Sequence, residues 1–202
     1  MLRIKSKYKI GKRLGAGVFD QLQTQKFALA EARKPKKMSR GRGGGSDYGR
    51  QLIEKQRVRF TYGLAERQLS NYAEKAFREE DPSQALHKAL ELRVDSALYR
   101  TGFATTRRAA RQAVSHGHVT VNGRRITTPS HALRKGDVIS IREGSRRSPL
   151  FAGLAEKENG RSIPQWLSVD VSALRAEVVG EPSYTTVESG LDYPTVFEFY
   201  SR

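Results

Sequence analysis

Cysteine is absent from all 202 residues. That absence excludes a disulfide framework, thiolate catalysis and any cysteine-ligated zinc. Apolar residues are scarce too: they make up 37% of the chain, against about 45–50% in ordinary globular domains. The core is therefore modest, and a partner is expected to supply part of the stability. No apolar run approaches the roughly 20 residues that span a bilayer, so no membrane partner is expected. The opening MLRIKSKYKIGKRLG has no continuous apolar stretch of the secretory kind. Its basic, acid-poor character is equally compatible with organelle-directed leaders. His87, His116, His118 and His131 are too dispersed to make a convincing metal set. There is no Gly-rich cofactor loop and no nucleophile–base constellation, so neither a cofactor nor catalysis is expected.

Acidic residues are outnumbered, 21 Asp and Glu against 37 Lys and Arg, for a formal net charge of +16. Positive excess on that scale would self-repel without a polyanion. Its distribution is informative: residues 1–60 carry +13, 61–89 carry −1, 90–149 carry +8 and 150–202 carry −4. Two basic blocks are thus separated by a near-neutral spacer and followed by an acidic tail.

The first block contains ARKPKKMSRGRGGG at 32–45, where Pro35, a glycine cluster and successive cations leave too little apolar surface to order the segment alone. It reads either as a disordered tail or as an extension that orders on RNA. Val18, Phe19, Leu22, Phe27 and Leu29 suggest one short helix or turn before it. Ser46 and Asp47 are good helix N-cap types, and the helix they open ends or bends at Gly63. Leu64, Leu69, Tyr72, Ala73, Ala76 and Phe77 then recur at helical spacing. Tyr48, Tyr62 and Tyr72 are placed either to stack on bases or to fill a core.

A further helix beginning near Ser83 carries Leu86, Leu90, Val94, Ala97 and Leu98 on one stripe and stops at Gly102. Thr105 or Thr106 caps the next, whose apolar face is Ala109, Ala110, Ala113 and Val114. Gly117 suits the left-handed position after its end. Arg107 and Arg111 are four apart on one face, with Arg108 beside them. Val119 and Val121 alternate around Thr120 as in a strand. Asn122-Gly123 then marks a hairpin turn that needs positive φ at both positions. Arg124 and Arg125 follow, and Lys135-Gly136-Asp137 leads into a strand at 138–141. A helix face and a neighbouring turn, both rich in arginine, make a ledge suited to phosphate. At the far end Val196, Phe197, Phe199 and Tyr200 give a last strand or turn, packed back on the helical part or facing a protein partner.

With these features, residues 89–149 closely resemble the S-four RNA-binding domain. The matching elements are Arg93, Asp95, Thr106-Arg107, Ala110-Arg111, Val114-Ser115-His116, Val121-Asn122-Gly123, Pro129 and Gly136-Asp137-Val138. The lead-in SDYGRQLIEKQRVRFTYGLAERQLSNY, the WLSVD at 166–170 and the closing VFEFYSR resemble the rest of the bacterial-type S-four family of the small ribosomal subunit. Some members carry N-terminal cysteines at a zinc or cluster site, and this chain departs from them. The LRVD around Asp95 superficially resembles the catalytic motif of pseudouridine synthases. Inside the module's first helix, Asp95 is instead expected to order Arg93 or a helix terminus.

The resemblance implies an α+β fold in three parts: a basic, extended N-terminal segment at 1–45, a helical domain from 46–88 and 150–202, and the helix–helix–hairpin RNA-binding domain at 89–149. It implies a structural rRNA-binding protein that docks early on the 5′ domain of small-subunit rRNA and nucleates assembly of the subunit body. It also implies contact with small-subunit protein five, a position near the mRNA entry channel, an influence on decoding accuracy, and a cytoplasmic or organellar ribosome as location. The candidate RNA contacts are Arg33, Lys34, Lys36, Lys37, Arg40 and Arg42 in the first block, and Tyr48, Arg50, Lys55 and Arg57 in the first long helix. In the module they are Arg93, Thr106, Arg107, Arg108, Arg111, His116, Asn122, Gly123, Arg124 and Arg125. Two other classes share such a module: RNA-modifying enzymes, which add a catalytic domain larger than either flank here, and stand-alone modules, which lack the long lead-in and the tail.

Overall fold

The computed structural model describes residues 4, 6–33, 46–151 and 162–202. In chain order the first elements are α1 (Lys7–Leu14), two 3-10 turns (Ala16–Val18, Asp20–Leu22), α2 (Gln25–Ala32), α3 (Asp47–Thr61), α4 (Glu66–Ala76) and α5 (Pro82–Glu91). There follow α6 (Val94–Arg100), α7 (Arg107–Ser115), β1 (Val119–Val121), β2 (Arg124–Ile126), β3 (Val138–Ile141) and α8 (Glu143–Arg146). The chain closes with β4 (Leu167–Asp170), β5 (Arg175–Val178), α9 (Thr186–Ser189) and α10 (Tyr193–Tyr200). These form two compact units, Met1–Leu86 with Thr185–Arg202, and His87–Tyr184.

The first unit is helical. Ser46 opens α3 as expected, its Oγ accepting from the Gly49 N–H at 3.2 Å. The described part of the N-terminal block holds more than one short helix: α1, both 3-10 turns and α2 bury Leu14, Val18, Leu22 and Phe27. Gly11 permits this fold-back, because a Cβ there would lie 2.0 Å from Leu22 Cδ1. The last element is a helix and not the expected strand or turn. Asp192 caps it, accepting from the Thr195 N–H at 3.3 Å, with Pro194 in the first turn. Tyr193, Val196 and Phe197 are buried as α10 packs along α3, and the Tyr62 and Tyr193 hydroxyls meet at 3.3 Å. Packing back on the helical part is the outcome, and Tyr62 belongs to the core.

The second unit sets α6 and α7 against an antiparallel sheet of order β2-β1-β3-β5-β4. Two expectations are corrected here. The stripe from Leu86 to Leu98 is buried, but on two helices. The break is at Arg93, whose backbone is extended (ψ 140°) and bridges to Ala132. The Leu133 N–H donates to the Leu92 carbonyl at 2.8 Å. Backbone pairing with a distant segment thus replaces the helical bonds that would have run through. Nor does 150–202 join the helical part as a block. The strands β4 and β5 extend the sheet, with Ile139 opposite Ala176 on the buried face, and only Thr185–Arg202 returns. At the other edge the Asn122-Gly123 turn has φ of 50° and 77°, as its sequence requires.

Candidate nucleic-acid interface

Two carboxylates lie beneath α7. Glu91 is 1% exposed and takes Arg100 in a two-point bond, Nε to Oε2 at 2.7 Å and Nη2 to Oε1 at 2.9 Å. Arg107 Nη2 reaches the same carboxylate at 2.9 Å, with its guanidinium 4.7 Å from the centre of the Tyr99 ring. Asp95 is held by Arg93 through bonds of 2.9 and 2.7 Å, and Arg111 Nη1 stands 3.9 Å away. Carboxylates this deep require paired cations, since an isolated ion in a low-dielectric interior costs several kcal/mol, on the order of the whole stability margin.

This network sorts the candidates. Asp95 orders Arg93, as expected, but Arg93 itself is 1% exposed and is removed from the RNA-contacting set: its charge is closed off by Asp95. Arg107 and Arg111 keep 16% and 15% of their side chains exposed and serve the buried carboxylates first. Lys55 is likewise corrected. It is 6% exposed, with Nζ 2.8 Å from Glu66 and over the Phe199 ring. Arg57 is half-buried, bonded through Nε to the Leu14 carbonyl at 2.7 Å and through Nη1 to Glu54 at 2.8 Å. Thr106 is a cap, its Oγ1 accepting from the Ala109 N–H at 3.1 Å. Asn122 staples the turn: its Nδ2 donates to Asp137 at 2.8 Å and its Oδ1 accepts from the Val138 N–H at 2.9 Å. Gly123 supplies the turn's second positive φ.

What remains outward is Arg108 on the first turn of α7, His116 at its end, and Arg124 and Arg125 on β2. Among the described residues none of these arginines pairs with a carboxylate. Tyr48 is half-exposed against the Phe199 ring at 5.7 Å, Arg50 is exposed and bonded to Asp47, and Arg33 is exposed. Lys34, Lys36, Lys37, Arg40 and Arg42 lie outside the described residues. Sequence reasoning passed over Glu91, Arg100, His118 and Arg142. The signal for the last two was the pairing of the two strands: Val119 stands opposite Ile141, which sets His118 beside Arg142.

Glu66, Tyr200 and His118 titrate away from their ordinary values. Burial opposes ionisation of Glu66, but bonds from Lys55, Tyr200 and Arg59 outweigh it and hold the carboxyl low. Burial and then the Glu66 charge push the Tyr200 phenol up. His118 is pushed down by burial and by His116, Arg142 and Arg125.

With this geometry in place, comparison with known proteins is specific. Residues 92–139 match the S4 domain, and residues 3–92 match the ribosomal protein S4/S9 N-terminal domain. The chain is 42% identical over 200 residues to the small ribosomal subunit protein uS4 of Roseiflexus sp. (strain RS-1), covering 96% of each. It is 37% identical over 200 residues to the protein of the same name from Borrelia duttonii, covering 98% of this chain and 96% of that one. To that of Persephonella marina it is 44% identical over 158 residues, covering 77% of each.

Proposed function

The chain belongs to the uS4 family of small ribosomal subunit proteins, and on that premise we propose that it binds small-subunit rRNA through the outward arginines of α7 and the hairpin. It is a structural component of the small subunit. The carrying observation is that Arg108, Arg124 and Arg125 face solvent on one module with no carboxylate partner among the described residues, while the neighbouring arginines are consumed internally. A planar guanidinium left open in this way gives two parallel bonds to a phosphate.

The finer reading is that the protein is a primary binder of the rRNA 5′ domain, acting in a cytoplasmic ribosome. It holds a multi-helix junction early, nucleates assembly of the subunit body, and afterwards lies by the mRNA entry channel, where it affects decoding accuracy. Contact with small-subunit protein five is proposed at the polar groove on α3 and α10, whose charged lining is Asp47, Arg50, Glu54, Asp192, Glu198 and Arg202. Truncation after Gly190 would remove the buried Tyr193, Val196 and Phe197 and is expected to unfold the helical unit, so that contact is tested by exposed-site changes such as Glu198→Lys. Chemical footprinting of the full chain on 5′-domain rRNA tests the primary-binder reading. Protection there, with retention on small subunits after a high-salt wash, is the expected result. Substoichiometric release would favour a stand-alone or modifying factor.

A further inference from the structure

We propose that His116, His118, Arg125 and Arg142 form a second phosphate seat at the base of the hairpin, which engages one backbone phosphate of the bound RNA and takes up a proton on doing so. The inference rests on the RNA-binding reading and adds a site and a linkage to it. Three elements end at this spot. Val119 pairs with Ile141 and Thr120 with Arg125, so the start of β1, the middle of β2 and the end of β3 converge. The Arg142 N–H donates to the His118 carbonyl at 2.9 Å, which fixes the two residues together.

The seat is built around a glycine. Gly117 has φ of +72°, and a Cβ there would stand 2.2 Å from Arg125 Nε. Only a bare backbone lets the Arg125 guanidinium lie across the end of α7, where Nη2 donates to the His116 carbonyl at 3.2 Å. The His118 ring is held on both sides. Its Nδ1 is 3.0 Å from Oγ of the buried Ser145, and Phe151 packs edge-on at 5.9 Å. The His116 ring centre is 6.0 Å from that of His118. No carboxylate pairs with Arg125 or Arg142 among the described residues.

The titratable or charged groups facing His118 are His116 from the end of α7, Arg125 from β2 and Arg142 from the end of β3, none of them acidic. Together with burial they keep the imidazole neutral to lower pH than usual. A phosphodiester placed among them reverses that field, and the imidazole then binds a proton from solvent. The diester itself has no proton to exchange near neutral pH, so uptake reports on the protein. Binding must therefore tighten as pH falls from about 7 toward the histidine range.

The test is calorimetric titration of a 5′-domain rRNA fragment into the full chain near pH 6.5, in two buffers of different ionisation enthalpy. The wild-type protein takes up protons, His118→Gln abolishes the uptake, and Arg125→Gln with Arg142→Gln weakens binding by about tenfold or more. Unchanged uptake in His118→Gln, or unchanged affinity in the folded double variant, overturns the seat and removes Arg125 from the RNA-binding reading, which then stands on Arg108 and Arg124. Failure of the wild-type chain to bind the fragment overturns that reading first and the seat with it. His118 ring signals that respond to millimolar inorganic phosphate but not to RNA would make this a small-anion site and also overturn the proposal.

Discussion

Arg93, Arg100, Arg107 and Arg111 each face Glu91 or Asp95, whereas Arg108, Arg124, Arg125 and Arg142 face no carboxylate among the described residues. Both sets lie in the same basic block, and the charge count treats them alike. Their physical roles are opposite. The first set neutralises carboxylates that the packing of α5, α6 and α7 has stripped of water, and it cannot release them without cost. The second carries charge that nothing in its own unit offsets, and that is the charge a polyanion can use. A net charge of +8 over residues 90–149 is therefore a mixture of mortar and docking surface.

Breaking the buried set gives the largest effect. Asp95→Ala strips Arg93 of the carboxylate that neutralises it and should cost about 3–5 kcal/mol in urea unfolding. Arg124→Ala, on the outer set, should stay within about 0.5 kcal/mol of the parent. The second prediction sharpens the comparison by pairs. Arg107→Ala with Arg111→Ala should lower the melting temperature, at roughly 2–4 °C per kcal/mol of stability removed for a chain of this size. Arg108→Ala with Arg124→Ala should leave melting unchanged and weaken rRNA binding, by roughly 1.5–3 kcal/mol per charge-assisted bond removed. A third and smaller effect sets the first unit against the second. Because Glu66 titrates below its ordinary value when folded, its contribution is present above the unfolded value and is lost as pH falls through the folded one. Glu66 is partly open to solvent, so the loss is modest. Glu66→Gln should lower the neutral plateau of a stability–pH curve slightly and flatten its acid limb.

Local signals were legible in the sequence where local chemistry decides the outcome. Ser46 and Thr106 cap their helices, Gly117 ends one, and Asn122-Gly123 turns the hairpin. Where sequence and structure part, residues far apart in the chain decide. The break at Arg93 exists because Ala132 and Leu133 supply substitute backbone bonds. The strands β4 and β5 are four residues each, too short for alternation to stand out; β5 is fixed by pairing with β3, and β4 by pairing with β5. For α10 the cue was present as Asp192 before Pro194, but the aromatic run after it also suits a strand. The site follows the same rule. Arginine type and helix face were readable, whereas the pairing of Arg107 with Glu91, 16 residues away, exists only once α5 and α7 are packed.

The central claim is that the outward arginines, not the paired ones, carry the affinity for RNA. The direct measurement is the slope of log K against log salt for 5′-domain rRNA, taken for the parent, Arg108→Gln with Arg124→Gln, and Arg107→Gln with Arg111→Gln. The account predicts that the first pair makes the slope shallower by about 0.7–0.9 for each phosphate no longer neutralised, while the second leaves the slope unchanged and lowers the melting temperature. A shallower slope for the Arg107 and Arg111 pair, with the parent slope kept by the Arg108 and Arg124 pair, would contradict it.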